Sequence, residues 1–151
     1  MAGLYIHIPF CKKACHYCNF HFSTDRRLEN DFVNALLKEA EIRQGYLSGQ
    51  VVSTVYLGGG TPSLLGPEQL FTILSRLKSL YHLAPETEIT LEANPDDCSL
   101  PDLQTWKETG INRLSLGIQS FRDEDLKWMN RAHSARQALQ SVEWARSLFS
   151  N

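Results

Sequence analysis

Cys11, Cys15 and Cys18 lie within eight residues of one another and offer three thiolates where a closed metal site would have four. In a reducing compartment such a cluster reads as metal ligands or reactive groups before it reads as disulfides. Three ligands are the set of a metal centre that keeps one coordination position free for a substrate. A structural zinc site is the plainer alternative, with His16 or His21 completing the tetrahedron, although zinc modules favour paired C-x-x-C spacings. The fourth cysteine, Cys98, stands alone in the polar run Asp96-Asp97-Cys98-Ser99 and is read as incidental.

Three further motifs have residue types suited to chemistry. Gly58-Gly59-Gly60-Thr61-Pro62 exposes backbone N–H and C=O groups where no side chain intervenes. Its spacing matches neither the dinucleotide fingerprint nor a P-loop, and a tight turn is the bland reading. Glu92-Ala93-Asn94-Pro95 places a carboxylate before a chain break, where Glu92 is either functional or simply solvated or paired with Arg113. Gln119-Ser120-Phe121 and Arg131 complete the set; each passes equally for surface polarity. His7 and His133 are read first as hydrogen-bonded structural histidines.

The elements that must position these motifs alternate. Leu4 to Ile8 is a strand; Leu28, Phe32, Leu36 and Ala40 form the stripe of a helix running to about residue 44. Val51 to Leu57 is β-branched and apolar and leads into the triple glycine. The next helix starts near Pro67, with Leu70, Ile73, Leu74 and Leu77 inward. Glu88 to Ala93 is the third strand, Leu100 to Thr109 a helix capped by Gly110, and Arg113 to Ile118 the fourth strand. Asp123 to Asn130 and Ser134 to Phe149 are helical, the latter with Ala138, Val142 and Ala145 on one face. Strict β/α alternation predicts an α/β fold: a parallel sheet with right-handed crossovers. All four motifs then fall at the carboxyl ends of strands, where such folds place their sites.

Composition narrows the field. A 151-residue chain that is 42% hydrophobic can bury a core. A formal charge of -2 without a Lys/Arg-rich run leaves no nucleic-acid footprint, and no stretch is long and apolar enough to cross a bilayer. The absence of an export-like amino terminus predicts a cytoplasmic home.

Taken together, Tyr-Ile-His-Ile-Pro-Phe-Cys-Lys-Lys-Ala-Cys-His-Tyr-Cys, Gly-Gly-Gly-Thr-Pro, Leu-Glu-Ala-Asn-Pro and Gly-Ile-Gln-Ser-Phe resemble the radical S-adenosylmethionine (SAM) core of the oxygen-independent coproporphyrinogen III oxidase group. The resemblance runs from Tyr5 through Arg131-Ala132-His133. It implies a partial TIM-barrel-like core in which Cys11, Cys15 and Cys18 hold a 4Fe-4S cluster whose remaining iron takes the amino and carboxylate groups of SAM. In that family the reduced cluster gives one electron to the sulfonium, cleaving SAM to methionine and a 5'-deoxyadenosyl radical. By position, Gly59, Gly60 and Thr61 would receive the amino end of SAM. Glu92, Gln119 and Arg131 match SAM-binding residues, and Tyr5 and Tyr17 match aromatic positions beside the cluster and cofactor.

One departure separates branches. The oxidases carry a further cysteine two residues after the last ligand, where this chain has Phe20. Asn19-Phe20 instead resembles the haem chaperone branch, the HemW-like proteins. That resemblance implies haem or porphyrin as ligand, haem-acceptor proteins and an electron donor as partners, and peripheral membrane association of the complete protein. Three readings follow: a haem chaperone with a SAM-coordinating cluster, an oxidase decarboxylating coproporphyrinogen III, and a zinc-stabilised α/β module without redox role. Residues 1–151 supply about four of the roughly six βα units of such a core. The expectation is therefore an N-terminal part without its last strands and haem-binding region, aggregation-prone through an uncovered apolar sheet edge.

Overall fold

The structure, a computed structural model, describes residues 2–150; Asn151, where the sequence reading sets the break, lies outside them. Four parallel strands, β1 (Ala2–Ile8), β2 (Val52–Gly59), β3 (Leu83–Ala93) and β4 (Arg113–Leu116), form one sheet in the order β1-β2-β3-β4. Helices α1 (Glu29–Ile42), α2 (Pro67–Leu80) and α3 (Leu100–Thr109) cross between them, and α4 (Asp123–Trp128) and α5 (Ala135–Leu148) follow β4. This is the α/β repeat expected from the alternation, with strands that neighbour one another in the sheet also consecutive in sequence.

Register divides the sheet into two unlike faces. Ile6 pairs with Leu57, Leu57 with Leu91 and Leu91 with Leu114, so one row is wholly aliphatic. The helices cover this face: Val33 of α1, Leu70, Ile73, Leu74 and Leu77 of α2, Leu103 and Trp106 of α3 and Ala145 of α5 join the strand residues in a single core. On the other face Tyr5 pairs with Tyr56, Tyr56 with Thr90, Thr90 with Arg113 and Glu92 with Ser115. These side chains satisfy one another. Arg113 donates to the Thr90 hydroxyl at 3.2 Å and lies 3.7 Å from Glu88. The open face is polar, and β4 is an edge strand of the sheet, with Leu114 and Leu116 partly buried against the helices.

Local differences from the sequence reading have plain causes. Leu28 precedes α1 as its capping residue and is exposed, while Val33 is that helix's buried residue. A stripe centred on Phe32, Leu36 and Ala40 reaches the core without Leu28. β3 starts at Leu83, not Glu88, because the register shifts between Val52 and Thr54, where Ala84 to Thr87 lie opposite the single Ser53. In α5 the buried set is Ala138, Ser141 and Ala145. Val142 sits at the margin, and Ser141 satisfies its hydroxyl on the Ala138 carbonyl at 2.8 Å. Gly110 caps α3 as expected, at φ 103°.

Candidate functional site

A cavity of about 290 Å³ opens at the carboxyl ends of the strands. It is lined by Cys11, Cys15, Cys18, Tyr17, Gly59, Gly60, Thr61, Glu92, Gln119 and Arg131. Every site residue expected from the sequence is there except Tyr5. The ring of Tyr5 stacks on Tyr56 at 5.9 Å and faces a different groove, along α1. It reaches the site only through Tyr56, whose hydroxyl donates to Glu92 Oε1 at 2.7 Å.

The cysteine loop has little secondary structure of its own and is held from outside. Its base is tied by Cys11 N–H to the Ser23 carbonyl at 3.0 Å and Ser23 N–H to the Pro9 carbonyl at 2.6 Å. Its middle is clamped to the end of α4: His16 N–H donates to the Met129 carbonyl at 3.2 Å, His16 Nδ1–H to the Trp128 carbonyl at 2.7 Å, and Asn130 Nδ2 to the Ala14 carbonyl at 2.8 Å. Lys12 pairs with Asp96 at 2.8 Å and with Asp97. Burial works against the ammonium of Lys12, but these carboxylates outweigh it and its pKa is raised.

The glycines allow this loop to approach. A Cβ on Gly60 would lie 2.7 Å from the Phe10 carbonyl oxygen and 2.9 Å from that of Ile8, a backbone contact that cannot give way. Gly59, at φ 111°, would put a Cβ 2.6 Å from the His7 ring. Its N–H is bound by Glu92 Oε2 at 3.0 Å. Glu92 is thus engaged by the glycine loop and Tyr56, and Arg113, the partner considered in the sequence reading, turns instead to Thr90 and Glu88. Gln119 has φ 64°; for a residue with a full side chain this is uncommon backbone, held here at the rim of the cavity.

Arg131 reaches furthest. Its Nη1 donates to Cys15 Sγ at 3.3 Å and the Tyr17 hydroxyl at 3.2 Å, and its Nη2 donates to Asn94 Oδ1 and the Gly117 carbonyl, each at 2.6 Å. Asn94 in turn donates to Thr61 Oγ1 at 3.2 Å, and the Thr61 hydroxyl to Cys11 Sγ at 3.5 Å. Burial raises the Cys11 thiol pKa first, the neighbouring Cys18 and Cys15 add to it, and Thr61 and Arg131 oppose it. Burial likewise raises Tyr17, against the pull of Arg131. Cys98 lies apart and buried, its thiol pushed up to about 12 chiefly by burial and then by Asp97, which suits an inert residue.

Residue-type reasoning did not single out Asn94, Lys12 or Ser115 as site residues, although all three line the cavity. Only Asn94 carried a local signal, as the Asn-Pro that ends the third strand. His133 is buried and structural, donating through Nε2 to the Ile118 carbonyl at 3.0 Å, and His7 does the same to the His21 carbonyl at 3.2 Å.

The donor set fits a 4Fe-4S cluster and SAM better than zinc. Neither His16 nor His21 lines the cavity, and among the described residues no three His, Cys, Asp or Glu side chains converge as the ligands of one ion would. Thiolates of a polynuclear cluster each bind a different iron and are spread accordingly. Arg131, which lines the cavity, keeps its buried Nε without a partner, a donor left to be satisfied.

A thiol triplet, a glycine loop and an arginine gathered at the strand ends of a parallel α/β sheet define the radical SAM class, and the chain belongs to that superfamily, whose family model matches residues 5–151. The family implies a 4Fe-4S cluster and SAM. Among particular relatives, the chain is 41% identical over 149 residues to the mouse protein named radical S-adenosyl methionine domain-containing protein 1, mitochondrial, covering 98% of this chain and 34% of that one. It is 37% identical over 148 residues to the Escherichia coli heme chaperone HemW, covering 97% and 39%. Among solved structures it resembles E. coli coproporphyrinogen III oxidase (HemN), a radical SAM enzyme, with a TM-score of 0.86 at 29% identity over 97% of this chain and 34% of that one. The chain therefore spans between a third and two fifths of the length of these relatives.

Proposed function

We propose that the protein is a haem chaperone that carries a SAM-coordinating 4Fe-4S cluster and passes haem to acceptor proteins. The observation that carries the reading is Phe20. It lines the cavity with the three cysteines and is 72% exposed, at the position where the oxidases place a further cysteine. An apolar ring there supplies no thiol to a porphyrin substrate and widens the apolar lip that Phe22 and Tyr17 begin. Relatives named as haem chaperones support the same branch.

In this reading Cys11, Cys15 and Cys18 hold the cluster. Bound together, cluster and SAM supply a one-electron reduction of a sulfonium. The chain's own contribution is orientation and exclusion of water. Gly59 and Gly60 would bring backbone close to the amino end of SAM, Arg131 would face its carboxylate, and Glu92 and Gln119 would be placed for its amino and hydroxyl groups. Tyr5 acts through Tyr56 and Glu92. The protein works in the cytoplasm, takes its electron from a separate donor, and associates peripherally with a membrane when it meets its acceptors. Residues 1–151 form the N-terminal part of the core, and haem is held by strands and a region beyond it.

The second reading, oxidative decarboxylation of coproporphyrinogen III, is favoured by the likeness to HemN. Anaerobically reconstituted full-length protein separates the two. Haem titration is expected to give a saturable Soret band, and incubation with coproporphyrinogen III, SAM and reductant is expected to leave the substrate unchanged. Turnover to protoporphyrinogen IX would overturn the chaperone reading.

A further inference from the structure

We propose that Asn94 is a positioning residue that sets the direction of hydrogen bonding onto two cluster sulfurs and thereby holds up the cluster's reduction potential. Arginine only donates, so the 2.6 Å contact from Arg131 Nη2 fixes which end of the Asn94 amide is oxygen. The NH2 end is then forced toward Thr61, whose Oγ1 lies 3.2 Å away. That oxygen becomes an acceptor, so the single Thr61 proton is left for Cys11 Sγ at 3.5 Å. Thr61 is only 3% exposed, so solvent cannot redirect it. The other arm of the same guanidinium donates to Cys15 Sγ at 3.3 Å. One amide therefore orients donors onto two of the three cysteines without touching either.

Its own backbone is fixed too. The Asn94 carbonyl accepts from Asp97 N–H at 2.9 Å and from the Cys98 thiol at 3.3 Å. Gly117 leaves room for the side chain, since a Cβ there would fall 3.0 Å from Asn94 Oδ1. Donors onto cluster sulfurs stabilise the extra negative charge of the reduced state and raise its potential.

The inference rests on the radical SAM reading of the site, and its test reads potential, not activity. Reconstituted full-length protein without SAM is titrated redox-potentiometrically by EPR, with iron and sulfide assayed in each sample. Asn94→Asp puts an oxygen where the NH2 was, turns the Thr61 proton away from sulfur and lowers the midpoint. Its added charge also lowers the midpoint, so the same substitution is made in a Thr61→Val background, where the relay through Thr61 is absent and the effects of charge and of the Arg131 arm remain. The fall is expected to be larger with Thr61 present. Asn94→Ala, which adds no charge, is expected to lower the midpoint as well, and it serves where the aspartate variant does not load. Equal falls in the two backgrounds, or an unchanged midpoint in Asn94→Ala, overturn the role of Asn94 in a loaded protein. Wild-type protein that takes up neither iron nor sulfide overturns the radical SAM reading, and this inference with it.

Discussion

The two faces of this sheet are made by alternate residues of the same strands and do opposite work. On β3, Ile89 and Leu91 point into the helices and Thr90 and Glu92 point away. The first pair stabilises the fold by apolar burial. The second belongs to a row of hydroxyls, carboxylates and a guanidinium that ends at the cavity. Adjacent positions should therefore respond to mutation in separable ways: helix-face changes should cost stability and leave the site's chemistry intact in whatever protein remains folded, and open-face changes should do the reverse.

The largest effect should come where the site depends on chemistry that packing cannot replace. Cys15→Ser is expected to abolish cluster assembly, seen as loss of iron and sulfide and of the brown chromophore after reconstitution, with the far-UV circular dichroism of the wild type. Cys98→Ser is the control and should load normally, because Cys98 is buried away from the cavity. Loss of the cluster in the control as well would mean that packing under the loop, not ligation, decides loading.

Next come two neighbours on one strand. Leu91 is fully buried at 0% exposure, and Leu91→Ala is expected to cost about 2–5 kcal/mol by equilibrium denaturation. Glu92→Gln should shift the melting temperature far less and weaken SAM binding, measured by isothermal titration to the reconstituted protein. A large stability loss from Glu92→Gln would show that the Glu92 contacts to Tyr56 and Gly59 are structural first. Tyr56→Phe, which removes one donor from Glu92, should cost about 1 kcal/mol and weaken SAM binding several-fold by the same titration.

The same contrast explains what was legible in the sequence. The helix face was readable because burial imposes a period: Leu70, Ile73, Leu74 and Leu77 recur at helical spacing and are all buried. Cys11, Cys15, Cys18 and the glycines were readable because few other residues perform their chemistry. Asn94 and Lys12 were not, because their roles come from partners far away in sequence, Arg131 and Thr61 for one, Asp96 and Asp97 for the other. Tyr5 was placed at the cofactor by position in a motif. Strand alternation sends its ring to Tyr56, one residue short of the cavity wall. The polar character of the open face was hidden for a further reason: β4 reads Arg-Leu-Ser-Leu, and only register decides which pair faces the helices.

The smallest expected effect tests the seam between the two regions. His133 is buried, and burial first, then the charge of Arg131, lowers its pKa below the usual 6.5; the Ile118 carbonyl and Asp96 pull the other way. Its Nδ1 and Asp96 Oδ1 face each other at 4.0 Å, both without a partner. A lowered pKa means that the folded protein binds the proton less readily than the unfolded chain does. The stabilising contribution of neutral His133 is therefore fully present above about pH 6.5 and is lost as pH falls through that value toward the folded pKa. Melting temperature measured from pH 7.5 down to 5 should decline for the wild type and decline less for His133→Gln, whose amide still donates to the Ile118 carbonyl without titrating. Because Asp96 would greet a protonated imidazole with a charge at close range, the difference should be modest. An identical slope in the two proteins would mean that Asp96 cancels the burial cost altogether, so that the site side of the seam, not the core side, governs this histidine.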